Sequence, residues 1–233
     1  MPKLNEYLSD FAGLFFPRLC LACKKSPAVQ AEITCVHCQY ELQIQNNYKD
    51  QENHVMQSFW GRVPLKAATS MYTFVEKGRV RNLVHQLKYN DQRNVGVALG
   101  RAFGKRLCEV ENFRAIDAIV PVPLHPRKER KRGYNQSEAF GQGLAESMQK
   151  MQLGRALKRR THKTSLTRKS RDARFDSIKD AYEVCDPKKL AGKHILLVDD
   201  VLTTGATIEA CARKLLEIPD VELSVAVIAQ GEM

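Results

Sequence analysis

Two adjacent carboxylates, Asp199 and Asp200, stand between an apolar run, Ile195-Leu196-Leu197-Val198, and a loop of small and hydroxyl residues, Thr203-Thr204-Gly205-Ala206-Thr207. Ile208, Cys211, Ala212, Leu215 and Leu216 then recur at helical spacing. A strand, a polar loop and a helix start make a phosphate site, because loop hydroxyls and the free N–H groups of the first helical turn converge on the anion. Carboxylates repel phosphate, so the acid pair serves another part of the ligand. It accepts hydrogen bonds from sugar hydroxyls or faces a Mg²⁺.

A 5-phosphate, ribose hydroxyls and a divalent ion together describe phosphoribosyl pyrophosphate (PRPP). The order of apolar strand, acid pair and TTGAT loop resembles the PRPP-binding motif of type I phosphoribosyltransferases. On that resemblance, Asp199 and Asp200 hold the ribose hydroxyls, and Thr203, Thr204, Gly205, Ala206 and Thr207 hold the 5-phosphate. The C1–pyrophosphate bond breaks with oxocarbenium character, so the departing pyrophosphate needs cations, which Mg²⁺ and the Arg127–Arg132 stretch supply. Asp199, Asp200 and Arg132 are the catalytic candidates. Either Asp also suits a general base, and the residues do not choose between them.

Four of the seven cysteines form Cys20-x2-Cys23 and Cys35-x2-Cys38, with eleven residues between the pairs. Two such knuckles bring four thiolates to one tetrahedral ion, so Cys20, Cys23, Cys35 and Cys38 are expected to hold a structural Zn²⁺. His37 reads as a loop residue, and Cys108, Cys185 and Cys211 as small core residues.

The formal charge of +11 is local. Residues Arg127–Arg132 and Arg155–Arg174 together carry fourteen of the 37 basic residues and two of the 26 acidic ones, which leaves the remainder near neutral. Arg127, Lys128, Arg130 and Lys131 in the first patch, and Arg168, Arg171 and Arg174 in the second, imply an anionic ligand: pyrophosphate, a nucleotide or a nucleic-acid backbone. Only Tyr134 and Phe175 lie in or beside these runs, so stacking platforms for single strands are not visible. No apolar run is long enough for a membrane span, and the start lacks a signal-peptide pattern, so the expected location is cytoplasmic.

The elements that must position these groups alternate. Ala67–Val75 reads as a strand, Val80–Leu87 and Val95–Glu109 as helices, and Ile116–Val122 as a strand leading into Pro121-Val122-Pro123, which completes the expected PRPP contacts. The stretch Arg127–Gln136 reads as a loop, Ser137 to about Met151 as a helix, and Arg155–Arg174 as a mobile loop, of which Arg160–Arg174 is expected to close as a lid. The polar stretch from Gln43 to about Ser58 marks a boundary between a four-cysteine zinc-ribbon module (residues 1–58) and an α/β domain (59–233) with a mainly parallel sheet flanked by helices. Gly141 and Gly143 lack the third glycine of a dinucleotide fingerprint, and no P-loop motif occurs.

Over nearly its full length the chain resembles the ComF family of phosphoribosyltransferase-like proteins. The matching residues are the four cysteines, Leu87-Lys88-Tyr89, Val120-Pro121-Val122-Pro123-Leu124, the RKRGYNQS run from Arg130 to Ser137, and the acid-pair motif. The resemblance implies a type I phosphoribosyltransferase-like fold, PRPP with Mg²⁺ as ligand, and a role in DNA uptake during natural competence. Single-stranded DNA and competence or recombination proteins are the further partners it implies. Two other readings stay open: a non-catalytic DNA-associated scaffold that senses PRPP, and a nucleotide-salvage enzyme. Leu166 and Ser177 fall where relatives often carry Gln and Asn, which questions turnover more than binding.

Overall fold

The computed structural model describes residues 17–29, 33–42, 44–75, 78–88, 92–160 and 181–231. Five parallel strands form the central sheet: β1 (Ala67–Phe74), β2 (Ala118–Pro121), β3 (Met151–Gln152), β6 (His194–Leu202) and β7 (Glu222–Gly231). Their spatial order is β1-β7-β6-β2-β3. A separate antiparallel ribbon pairs β4 (Leu157–Arg159) with β5 (Tyr182–Val184).

From β6 the chain returns to the sheet through α8 (Ala206–Leu215) on one side, to β7. From β2 it returns through α7 (Gln136–Met148) on the other side, to β3. The boundary between β2 and β6 is therefore the place where the winding reverses. In parallel α/β sheets a crevice opens there, at the carboxyl ends of the strands.

β6 is longer than its apolar run. On the β2 side pairing stops at Pro121↔Val198, where Pro121 and then Pro123 deprive β2 of ladder donors. On the β7 side it continues through Asp199↔Val227 to Leu202↔Gln230. Asp199 and Asp200 thus lie inside β6 rather than after it, held by one neighbour and open on the side of the other.

One face of the sheet is covered by α3 (Arg79–Lys88), α4 (Arg93–Leu107) and α7, with Phe103, Phe140 and Leu144 fully buried among them. The opposite face is covered by α8 and α2 (His54–Gln57), around Ile208, Leu215 and Val55. Helices α4 and α7 touch backbone to backbone. A Cβ on Gly100 would lie 2.1 Å from the Phe140 carbonyl oxygen, and one on Gly143 would lie 2.0 Å from that of Val97. Gly143 is a packing residue, which is why it has no nucleotide-fingerprint partner.

The described part of the expected linker is packed, not free. Gln45 N–H donates to Met71 O, Asn53 Nδ2 donates to Ala68 O, and Asn47 Nδ2 donates to Ser70 Oγ. β1 is the outer strand of the sheet, and the Gln45 backbone N–H and the Asn53 side chain satisfy carbonyls of its open edge. That accounts for the Asn/Gln content. The cysteine segment packs into the same core as α3, with Asn82 Nδ2 donating to Ala22 O at 2.7 Å. Cys211 is buried as expected, whereas Cys185 is exposed at the start of the turn after β5. No described helix is long and apolar enough to cross a membrane.

Candidate ligand-binding cleft and cysteine cluster

A cleft of about 210 Å³ opens at the carboxyl ends of β2 and β6. Asp199 and Asp200 form one wall, Val122, Pro123 and Leu124 another, and the start of α7 the floor. Lys128 and Arg132 enter from α6 (Pro126–Arg132), Arg159 from β4, Lys88 from α3 and Thr207 from α8.

The stretch Arg127–Arg132, expected as a loop, is a helix. His125 caps it, its Nδ1 accepting from the Arg127 N–H at 3.1 Å, and Pro126 occupies the first helical position. With no buried residue it has no apolar period, so periodicity could not reveal it. Helical spacing turns Lys128 and Arg132 toward the cleft, while Arg127, Arg130 and Lys131 do not line it.

The RGYNQS run ties the site together. The Tyr134 hydroxyl donates to Leu87 O at the end of α3. Asn135 caps α7 through Oδ1, which accepts from the Ser137 N–H, and its Nδ2 donates to Val122 O at 3.0 Å. Ser137 Oγ donates to Asp199 Oδ1 at 2.8 Å. Three residues of the run, Tyr134, Asn135 and Ser137, thereby fix α3, the end of β2 and β6 relative to α7.

Each carboxylate of the pair has its own support. Asp199 Oδ1 also accepts from the Asp200 N–H, and Asp200 Oδ1 accepts from the Val201 N–H. Lys88 Nζ lies 3.3 Å from Asp200 Oδ2. Asp199 is partly buried and lines the cleft. Burial first, and the Asp200 charge second, push its carboxyl up to about 7, against the opposing pull of Ser137, the Asp200 N–H and Lys88. An acid so poised can gain or lose a proton near neutral pH.

At the other side Gly205 caps α8 with φ of 75°, a left-handed conformation that favours glycine, and no side chain caps the helix. The Ala206 N–H reaches Thr204 Oγ1 at 3.5 Å, and the N–H groups of Thr207 and Ile208 behind it face the anion position. The loop is braced from behind by Arg62. Its Nη1 donates to Thr204 O and to Ser58 O, both at 2.9 Å, and its Nε donates to Glu209 Oε2 at 2.8 Å. A Cβ on Gly205 would meet Phe59 at 3.1 Å and Arg62 at 3.2 Å. Arg62 did not stand out in the sequence, since it acts through contacts distant along the chain; Arg159 lay within the second basic patch, whose first residues, expected as a loop, form β4.

Of the residues expected to meet PRPP, Asp199, Asp200, Thr207, Val122, Pro123 and Arg132 line this cleft. Thr203, Thr204, Gly205 and Ala206 continue the chain beside it without lining it, and Pro121 lies in the sheet behind. Arg168, Arg171, Arg174, Leu166 and Ser177 fall outside the described residues.

The ligand atoms of Cys20, Cys23, Cys35 and Cys38 all lie within 4.8 Å of one another, and Cys23 Sγ is 3.9 Å from Cys35 Sγ. A tetrahedron of thiolates about 2.3 Å from Zn²⁺ has edges of about 3.8 Å, so the four residues fit such an ion. Backbone N–H groups of Ser26 and Lys25 bring Cys23 down to about 6, whereas burial and the neighbouring cysteines push the Cys38 thiol well up. Cys35 stands at the N-cap of α1 (Val36–Glu41) and Cys38 is buried within it.

Comparisons agree with this layout. The phosphoribosyl transferase domain family matches residues 135–232. The DNA utilization protein YhgH of Escherichia coli is 33% identical over 140 residues, 58% of this chain and 60% of that protein. Competence protein F of Haemophilus influenzae is 25% identical over 215 residues, 89% of this chain and 88% of that protein. Competence protein ComFC of Bacillus subtilis is 25% identical over 153 residues, 66% of this chain and 59% of that protein. A four-cysteine cluster, a parallel phosphoribosyltransferase-like sheet and these relatives agree: the chain is similar to proteins of the ComF family.

Proposed function

We propose that the cleft binds PRPP and that the protein is a phosphoribosyltransferase-like member of the competence machinery acting on incoming single-stranded DNA. The observation that carries the reading is the acid pair, fixed by Ser137 and Lys88 between the N-termini of two helices on opposite faces of the sheet.

In this reading the 5-phosphate sits on the free N–H groups of α8 with Thr207, and the loop is kept in shape by Arg62. Asp199 and Asp200 accept the ribose hydroxyls. Lys128, Arg132 and the start of α7 face the pyrophosphate. Asp199 and Asp200 offer hard oxygen donors suited to a Mg²⁺ that arrives with PRPP, and such an ion would neutralise charge on the leaving pyrophosphate. Arg132 and Lys128 oppose the same charge from the protein, in a cleft where the field is less screened than in water. Asp199, ionised above about 7, serves as hydroxyl acceptor or as base toward an acceptor. The four cysteines hold one Zn²⁺ that fixes the module onto α3.

A second reading is a scaffold that binds PRPP without turnover. The names of the relatives favour it, since they speak of DNA utilization and competence rather than of a reaction. Calorimetry of PRPP with and without Mg²⁺, with the Asp199→Asn/Asp200→Asn double variant as control, tests the shared premise. Magnesium-dependent binding that the variant loses is the expected result; equal affinity in the variant would sink the site assignment. A screen for pyrophosphate release with single-stranded DNA and nucleobases as acceptors then separates enzyme from scaffold.

A further inference from the structure

Gln136 is the first residue of the 13-residue helix α7, 1% exposed, on the floor of the cleft. Its Oε1 accepts a hydrogen bond from Arg132 Nη1 at 2.9 Å. A guanidinium has only donors, so the carboxamide must turn its oxygen to Arg132 and its nitrogen away. That nitrogen, Nε2, is buried with no acceptor, the one such side-chain atom among the described residues.

A buried donor without a partner is destabilising, because it has lost water and gained nothing in exchange. The neighbours on both sides are fully employed, Asn135 on Val122 O and Ser137 on Asp199. The idle N–H group therefore sits one residue from the contact to the acid pair, at the positive end of a helix, among Lys128 and Arg132. A donor recognises an acceptor, and in cationic surroundings that acceptor is an anionic oxygen.

We propose that Gln136 is a ligand-contact residue of the cleft, with Nε2 donating to a pyrophosphate oxygen of PRPP and Arg132 fixing the direction of the amide. The assignment rests on reading the cleft as a PRPP site, because it takes the 5-phosphate to lie at the α8 end and the pyrophosphate at the α7 end. It gives the Gln of the RGYNQS run a task separate from the scaffolding done by its neighbours.

The test uses the full zinc-loaded chain with Mg²⁺ and three probes: PRPP, inorganic pyrophosphate and ribose 5-phosphate. Gln136→Met removes donor and acceptor at similar volume, Arg132→Met removes the orienting cation, and the double variant closes the cycle. Gln136→Met is expected to weaken PRPP and pyrophosphate about tenfold, to leave ribose 5-phosphate within twofold, and to keep its effect in the Arg132→Met background. Should Gln136→Met fail to fold, Gln136→Glu replaces it; that variant keeps the oxygen that pairs with Arg132, loses the N–H, and is expected to lose the same two probes. An effect that vanishes in the Arg132→Met background would reduce Gln136 to a prop for Arg132. Equal loss of all three probes, or no loss in any, would overturn the assignment while leaving the cleft reading in place. A wild-type protein that binds none of the three would overturn both.

Discussion

The hydroxyl of Ser137 donates to Oδ1 of Asp199 across 62 residues of sequence, at 2.8 Å. The bond joins the start of α7 to the acid pair in β6, and it favours the ionised form of Asp199. Removing it with Ser137→Ala should weaken Mg²⁺-dependent PRPP binding about tenfold, in line with a hydrogen bond to a charged group. The pH at which binding reaches half its plateau should also rise above that of the wild type. Calorimetry from pH 6 to 9 reads both, and an unmoved pH midpoint would separate Ser137 from Asp199.

Asp199 gives a second pH signature. Its carboxyl stands near 7 against 3.8 for a free one, because of burial and then the Asp200 charge. Between those values the native state keeps a proton that the unfolded chain has released. The stability contributed here therefore falls as pH rises from about 4 to about 7 and is level above. Asp199→Asn should abolish that slope, so that urea titrations at pH 5 and 8 differ by on the order of 1 kcal/mol less than in the wild type. PRPP affinity runs the opposite way, rising as Asp199 ionises.

Arg62 supports the α8 loop through Thr204 O and Glu209. Arg62→Met should weaken ribose 5-phosphate and PRPP by a similar factor, about tenfold, and leave inorganic pyrophosphate unchanged. Lysine has one ammonium in place of the planar fork that reaches several partners, so Arg62→Lys should restore little. Equal weakening of pyrophosphate would point to a general loss of folding.

Where α4 and α7 meet, there is no room for a methyl group at Gly100 or Gly143. Either Gly→Ala change should destabilise the protein by about 3 kcal/mol or more, because the clash is with backbone rather than with a flexible side chain. Thermal unfolding checks this. A loss near zero would mean that the helices part easily, and that α7 does not hold the RGYNQS run rigidly.

The Cys20→Ser/Cys23→Ser variant should lose about one zinc per chain by metal analysis. Full zinc in the variant would move the ion elsewhere. Because the module packs on α3 through Asn82, chelation should also lower the thermal midpoint of the whole chain rather than of a detached piece.

What the sequence determined by itself was everything encoded over short spans. The apolar run, the acid pair, the TTGAT loop and the first turns of α8 are contiguous, and their residue types carry both period and chemistry. The paired cysteines are likewise legible, because a two-residue spacing already dictates a shared ligand. What lay beyond it were the relationships made by sheet order. Only the placement of β2 beside β6 brings Ser137 to Asp199, and only the fold carries Arg62 to Thr204 over 142 residues. Helix α6 escaped notice because a helix that buries nothing has no hydrophobic period to read. The extension of β6 through the acids was decided by its β7 neighbour, whose ladder continues after the prolines have ended that of β2. Local chemistry is written along the chain; which local chemistries meet is settled by packing.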